Sequence, residues 1–205
     1  MDVVPLGMLP GLLSDWQIEE RLALPDESAK RLRIDPFSPA TSLPGRVSWG
    51  LGSYGFDLRL GRRFKMFDPL AGQVIDLRDF DPALLRDVEA DHVLIPPNSY
   101  ALGETMERVW MPDDVLGLIV GKSTCARGGL IVNTTPIEPG WRGTITLEFS
   151  NATPMYMRLH AGDGIGQLLL FQGSAPCKTP YHKKAGSRYQ DQPGVEGPRL
   201  RLHRS

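Results

Sequence analysis

Hydrophobic residues alternate with polar or small residues over several short stretches of the chain. The first stretch has Tyr54, Phe56, Leu58 and Leu60 on one side of an extended segment, which places all four against a core. Further strands are predicted over 92–95, 99–109, 115–120, 130–133, 143–151, 155–160 and 164–171. Short strands at this spacing are typical of an antiparallel barrel or sandwich.

Helical signals are few. Ser14 and Gln17 have the spacing of a capping box, which predicts one short helix over about 14–24. A second helix start is predicted at Asp81 and Pro82, because proline suits the first helical position. The segment 35–52 contains three prolines and three glycines and predicts a loop.

Composition agrees with a mainly β fold with a few short helices. The chain has 205 residues, of which 41% are hydrophobic, enough for the core of one domain spanning 1–205. Its 22 glycines and 18 prolines are together 40 of these 205 residues, against roughly 12% in average proteins. The surplus is expected to form turns between short strands.

Charge and cysteine content exclude several classes of protein. The net charge of -1 gives no overall support for nucleic-acid binding. No apolar run has the length of a bilayer span, and the first 13 residues lack a basic leader, so we expect a cytoplasmic protein without membrane contact. Two cysteines indicate a reducing compartment rather than a disulfide framework.

Zinc-dependent deamination is also excluded by the motifs. A zinc deaminase requires His-x-Glu and Pro-Cys-x-x-Cys, whose imidazole and thiolates hold the metal. Pro180 stands where a second thiolate after Cys177 would be, and no histidine is followed two residues later by Glu. We therefore expect no metal-ligating residues.

The segment 178–205 differs from the rest of the chain. It carries seven lysines and arginines against Asp191 and Glu196, a net charge of +5. It is either a solvated terminus or a flap that closes over a polyanion such as a triphosphate. The segment 1–13 is a separate N-terminal extension.

One predicted strand presents a carboxylate. Ile145, Leu147 and Phe149 share a face of strand 143–151, so Thr146 and Glu148 share the opposite one. Taken alone, Glu148 has the pattern of a solvent-facing carboxylate on a half-buried strand.

Several ordered motifs give that carboxylate another interpretation. Gly-Lys-Ser-Thr-x-Ala-Arg, Leu-Ile-Val-Asn-x-Thr-Pro, Glu-Pro-Gly-Trp and Thr-Leu-Glu-Phe-Ser-Asn follow one another between 121 and 151. Together with 53–57, 95–99, 162–167 and 181–194, they resemble the dCTP deaminases of the trimeric dUTPase superfamily. The resemblance implies a distorted, jelly-roll-like β-barrel of the β-clip kind. It also implies a homotrimer whose active sites are shared between subunits.

The resemblance also implies roles for individual residues. Glu148 would be the general base and acid, Ser123 would hydrogen-bond near the attacked carbon and the water, and Arg127 would support the carboxylate. The substrate-binding positions implied are Lys122, Thr124, Cys125, Ala126, Glu138, Thr146, Leu147, Gln167, Tyr181, Arg188 and Gln192. Lys122, Glu138 and Arg188 stand where many relatives carry Arg, Asp and Lys, which keeps each charge but changes its reach.

The activity implied is hydrolysis of dCTP to dUTP and ammonia, supplying dUTP for thymidylate synthesis. Mg²⁺ would accompany the triphosphate, with no protein-bound zinc, and dTTP is a candidate inhibitor. A bifunctional relative that also cleaves dUTP to dUMP and pyrophosphate is the nearest alternative. A pure dUTPase lacks the Glu of Thr-Leu-Glu-Phe, and a non-catalytic nucleotide-binding regulator would not need Ser123, Arg127 and Glu148 together.

Overall fold

The computed structural model describes residues 10–72 and 74–199. Two α-helices lie within these residues, α1 (Asp15–Leu22) and α2 (Ser123–Arg127), with 3₁₀ turns at Pro82–Leu84 and Tyr181–Lys183. The strands are β1 (Gly11–Leu12), β2 (Arg33–Asp35), β3 (Gly50–Leu51), β4 (Phe56–Phe67), β5 (Leu85–Glu89), β6 (His92–Ile95), β7 (Tyr100–Trp110), β8 (Val115–Gly121), β9 (Leu130–Asn133), β10 (Arg142–Asn151), β11 (Met157–His160) and β12 (Gly164–Gln172).

The strands form one large curled sheet and one small one. In the large sheet the order is β1-β12-β4-β7-β10-β9, with β2 added to β7, β3 and β5 added to β4, and β8 added to β12. The small sheet pairs β11 with β6. The strand pairs are antiparallel, which confirms the prediction of a mainly β, barrel-like fold.

The core lies on one face of two long strands, β4 and β10. Phe56, Leu58 and Leu60 of β4 are fully buried, as the alternation predicts. On β10, Leu147 and Phe149 are fully buried as well. Because period two sends the next residue to the other face, β10 is apolar inward and polar outward.

The assignment of Tyr54 to this core is wrong, whereas that of Phe56 is confirmed. Tyr54 is 54% exposed, and it lies before β4, in an isolated bridge with Ser14. Gly55 between them has φ +103°, in the left-handed region. That turn interrupts the extended backbone, so alternation along β4 does not extend back to Tyr54.

The predicted local elements are present with shifted bounds. Gln17 Oε1 accepts a hydrogen bond from the Ser14 N–H at 3.0 Å, which confirms the capping box, but α1 ends at Leu22. At the second predicted helix start, the Asp81 side chain caps a single 3₁₀ turn. Helix α2 and strands β1, β2, β3 and β5 were not predicted, and β3 lies within the segment 35–52 that was predicted as a loop.

Two predictions fall partly outside the described residues. These are the N-terminal extension before residue 10 and the tail beyond Arg199, which includes Arg201 and Arg204. A single domain over 1–205 stays a prediction. In the described part of the chain, no helix is long and apolar enough to cross a membrane.

We expect the core face of β10 to dominate stability. Phe149→Ala removes a fully buried ring that packs against Gly103, and should lower the free energy of unfolding by about 3–5 kcal/mol. Tyr156→Ala is the control, because Tyr156 is 69% exposed and its loss should cost no more than about 0.5 kcal/mol. Urea denaturation at fixed protein concentration measures both. Equal losses would contradict this account of the core.

Candidate active site

Strand β10 places Glu148 between two neighbouring strands. Glu148 is directly opposite Leu102 of β7 on one side and Asn133 of β9 on the other. Its side chain and that of Thr146 are half-buried on the face opposite the core, as the alternation predicts. The carboxylate is therefore held on a paired central strand rather than on a loop.

The surroundings of Glu148 favour its protonated form. Burial raises the pKa of Glu148, and the Asn133 side chain, whose Nδ2 donates to Oε2 at 2.7 Å, partly opposes that rise. Tyr100 lies nearby, and burial together with the charge of Glu148 raises its pKa to about 12. Asn133 occupies one carboxylate oxygen and leaves the other available for proton transfer.

A cavity of about 1120 Å³ opens beside Glu148, a size suited to a nucleotide. Apolar walls come from residues such as Phe67, Phe80, Leu102, Trp141 and Ile145. The polar side chains on the barrel wall include Tyr100, Thr146 and Glu148, and those on the tail include Tyr181, Tyr189 and Gln192.

The cavity wall is acidic. Glu138, Glu148 and Glu196 line it, and no Lys or Arg does so among the described residues. Glu138 pairs with Lys184, and Glu196 pairs with Arg199 at 2.8 Å. A triphosphate bound here would therefore need cations from another surface.

The segment around α2 lies apart from this cavity. Ser123 and Arg127 are exposed and, among the described residues, have no side-chain hydrogen bond or ion pair. Helix α2 leads into the start of β9, where Leu130 pairs with Asn151, whereas Glu148 pairs with Asn133 at the other end. These two ends are roughly 10 Å apart along the strand.

The predicted binding residues near α2 differ in their contacts and in their exposure. Lys122 is ion-paired with Asp57, and its Nζ also lies 3.4 Å from Ser48 Oγ. Cys125 is half-buried, and burial raises the pKa of its thiol. Thr124 and Ala126 are exposed.

Two further predicted positions lie within the sheet, outside the cavity lining. Leu147 is fully buried in the core and opposes Gly103, so its side chain faces away from Glu148. Gln167 lies on β12, where its Nε2 donates to the Tyr54 carbonyl at 3.4 Å.

The described tail residues form hydrogen bonds with one another and, through Gln192, with β10. The Tyr181 hydroxyl accepts hydrogen bonds from the N–H groups of Arg188 and Tyr189 at 3.2 and 3.1 Å. Arg188 Nη1 donates to the Arg199 carbonyl at 2.8 Å. Gln192 is only 4% exposed, and its Nε2 donates to Thr146 Oγ1 at 2.6 Å.

The structure also adds residues that the motifs did not identify. Asn133 belongs to the Leu-Ile-Val-Asn string, but its contact with Glu148 depends on how β9 pairs with β10. Tyr100, Tyr189 and Glu196 line the cavity and carried no signal in the sequence. Among the described residues, no group of three or more His, Cys, Asp or Glu is arranged to hold a metal ion.

Known proteins resemble this chain over most of its length. A profile described as dCTP deaminase-like matches residues 12–173. The dCTP deaminase of Campylobacter fetus subsp. fetus (strain 82-40) is 46% identical over 190 residues, covering 93% of this chain and 98% of that protein. The dCTP deaminase of Acidobacterium capsulatum is 47% identical over 174 residues, covering 85% of this chain and 94% of that protein.

The fold is shared with a solved structure as well. The crystal structure of 2'-deoxycytidine 5'-triphosphate deaminase from Agrobacterium tumefaciens has a TM-score of 0.56 to this chain at 19% identity. The match covers 80% of this chain and 47% of that one, and at this identity it concerns the fold alone.

The fold, the cavity beside Glu148 and the similarity to known dCTP deaminases together define a deaminase, which is an enzyme of the hydrolase class. The chain belongs to the dCTP deaminase family, which confirms the resemblance found in its motifs.

The raised pKa of Glu148 has a consequence for stability. Because the folded pKa lies above the unfolded one, ionisation of Glu148 destabilises the fold. This destabilisation is fully present at pH values above the pKa of Glu148 in the folded state. It disappears as the pH falls below the pKa of Glu148 in the unfolded state. Glu148→Gln removes the charge and can still accept from Asn133. We expect the Tm of this variant to exceed that of the parent at about pH 8, with the difference vanishing towards about pH 4.

Thermal denaturation across this pH range measures the effect. Glu27→Gln is the control for loss of one negative charge, because Glu27 is exposed. A Glu148→Gln variant that is less stable than the parent at about pH 8 would contradict the assigned electrostatics.

Proposed function

We propose that this protein catalyses the hydrolytic deamination of dCTP to dUTP and ammonia without a protein-bound metal. The observation that carries the proposal is the half-buried Glu148, hydrogen-bonded through one oxygen and facing a nucleotide-sized cavity. Membership of the dCTP deaminase family supports the choice of substrate.

The chemistry requires one group that both accepts and donates protons. Glu148 takes a proton from a water molecule as the water oxygen bonds to C4 of cytosine. Glu148 then delivers that proton to N3. The second water proton then passes through Glu148 to the exocyclic nitrogen, the C4–N4 bond breaks, and ammonia leaves. A carboxylate whose pKa is raised by burial suits this exchange, because the rise makes the protonated form easier to reach when the proton must be donated.

Ser123 and Arg127 act on the same reaction in this proposal. The Ser123 hydroxyl hydrogen-bonds the attacking water beside C4, and Arg127 supports the carboxylate electrostatically. A direct contact of Arg127 would lower the pKa of Glu148 and oppose proton donation, so Arg127 acts at a distance or through a bridging group.

The lack of cations in the cavity lining supports a homotrimer with shared sites. No Lys or Arg among the described residues lines the wall, and its carboxylates cannot bind phosphate oxygens, so a triphosphate would need cations from elsewhere. Ser123 and Arg127 are exposed and unpaired among the described residues, as expected for groups that complete a neighbouring subunit's site. Lys122 would exchange Asp57 for a phosphate oxygen, with Mg²⁺ entering alongside the substrate.

Other residues of the cavity would bind the nucleoside. Glu138, Tyr181 and Gln192 line the cavity. In this proposal Glu138 would accept the deoxyribose 3'-hydroxyl, and Tyr181 and Gln192 would cover the sugar and base. Thr124, Cys125, Ala126, Leu147 and Gln167 would contribute backbone or edge contacts, and Arg188 a phosphate contact. We place the enzyme in cytoplasmic dUTP and dUMP supply, with dTTP as a candidate inhibitor.

The products distinguish this proposal from its rivals. The protein with Mg²⁺ should release ammonia from dCTP and no pyrophosphate from dUTP. Glu148→Gln should lower kcat by about 10²–10⁴-fold while calorimetry shows dCTP still bound. Release of pyrophosphate from dUTP would establish the bifunctional enzyme instead. If neither ammonia nor pyrophosphate is released, the nucleotide-binding regulator is the remaining alternative.

Shared sites can be tested by mixing two inactive variants. Glu148→Gln chains still supply Arg127, and Arg127→Ala chains still supply Glu148. If each site draws these residues from different subunits, co-refolded trimers should contain intact sites and regain up to about a quarter to a third of parental activity, by random mixing of subunits.

The control is to mix the separately assembled variants without refolding, which should give no recovery. Failure of the co-refolded mixture to recover activity, with mixed trimers verified by mass, would show that Glu148 and Arg127 act within one chain.

A further inference from the structure

An ion pair between the buried Glu104 and the half-exposed Arg63 lies outside the proposed catalytic group and contacts the tail. Glu104 of β7 is 6% exposed, and its Oε1 accepts from Arg63 Nε of β4 at 2.8 Å. A buried position in a strand rarely carries a carboxylate, because burying the charge costs free energy unless hydrogen-bonding or charged partners compensate for the lost water. The cavity chemistry does not use this pair, so its partners indicate its role.

Among the described residues, the remaining hydrogen-bond partners of the pair belong to the tail. Glu104 Oε2 accepts from the Val195 N–H at 3.2 Å, and Arg63 Nη2 donates to the Pro193 carbonyl at 2.8 Å. Gly194 lies between these contacts. A Cβ at Gly194 would lie 2.7 Å from Arg63 Cζ and 2.8 Å from Glu104 Oε2, so glycine lets the backbone approach both groups.

The same tail segment is connected to the catalytic strand. Glu104 is directly opposite Thr146 of β10, two residues before Glu148. Thr146 Oγ1 accepts from the Glu196 N–H at 3.0 Å and from Gln192 Nε2 at 2.6 Å. Segment 192–196 is therefore fixed at both ends against β10, and Glu196 continues into the cavity wall.

We propose that Arg63 and Glu104 are positioning residues that dock segment 192–196 on the barrel and so set the width of the substrate cavity. The inference rests on the proposed deaminase function. Loss of the dock releases the wall formed by Glu196, Gly197 and Pro198 without altering Glu148 or Asn133. We therefore expect weaker substrate binding, with little change in the rate of the chemical step.

Two variants disturb the dock in different ways. Glu104→Gln places an amide N–H against the donors of Arg63 or Val195, and Gly194→Val drives a side chain between Arg63 and Glu104. The second variant changes only the tail, so the barrel should fold normally. Each should raise KM for dCTP by about tenfold, because at least one charge-assisted hydrogen bond of the dock is lost, while kcat changes less than about threefold. Arg63→Lys keeps the charge and should restore part of the affinity relative to Arg63→Met.

The matched control is Asp87→Asn. Asp87 pairs with Lys65 on the same strand as Arg63, but its side chain is 78% exposed. This variant loses an ion pair of the same chemistry at a site away from the tail. It should keep the parental KM and kcat.

A substrate-free measurement separates this proposal from the deaminase assignment. Trypsin should cleave after Arg188 and Arg199 faster in Glu104→Gln and Gly194→Val than in the parent or Asp87→Asn. Absence of ammonia from the parent would remove the proposed function while leaving this result intact. Unchanged tail cleavage, or an unchanged KM in a parent that does release ammonia, would overturn the docking role.

Discussion

The alternation of side chains along β10 is the constraint on which the site depends. Leu147 and Phe149 fill the core, so Thr146 and Glu148 are directed to the opposite face. A shift of the pairing by one residue would expose Phe149 and bury the carboxylate in the core. The same packing that stabilises the barrel thus fixes the position and the orientation of the proposed catalytic group, without a dedicated loop.

Around that strand, each element supplies one property of the cavity. Strand β9 provides the amide of Asn133, which holds one oxygen of Glu148. Strand β7 provides Tyr100 and Leu102, which line the cavity beside the carboxylate. The tail closes the remaining side through Tyr181, Gln192 and Glu196. The carboxylates of this enclosure and the exposed Arg127 of α2 have opposite charges, which is consistent with the proposal that two chains contribute to one site.

The sequence predicts much of this arrangement because period two is a local property. Most strand positions and the common face of Thr146 and Glu148 follow from it. Tyr54 was placed wrongly, because alternation carries no information about the left-handed turn at Gly55. The contact between Asn133 and Glu148 and the docking of Gly194 on Arg63 and Glu104 depend on strand pairing and on long-range packing. Those contacts join residues far apart in the chain, so no local pattern predicts them.

The central claim is that Glu148 of one chain and the cations near α2 of another form a single site. A crystal structure of the Glu148→Gln assembly with dCTP tests it directly. We expect the cytosine ring beside Gln at position 148 and Asn133 of one subunit. We expect the triphosphate to contact Lys122 and the α2 segment of its neighbour. A triphosphate held entirely by cations of the same chain, or a base bound away from β10, would contradict the account.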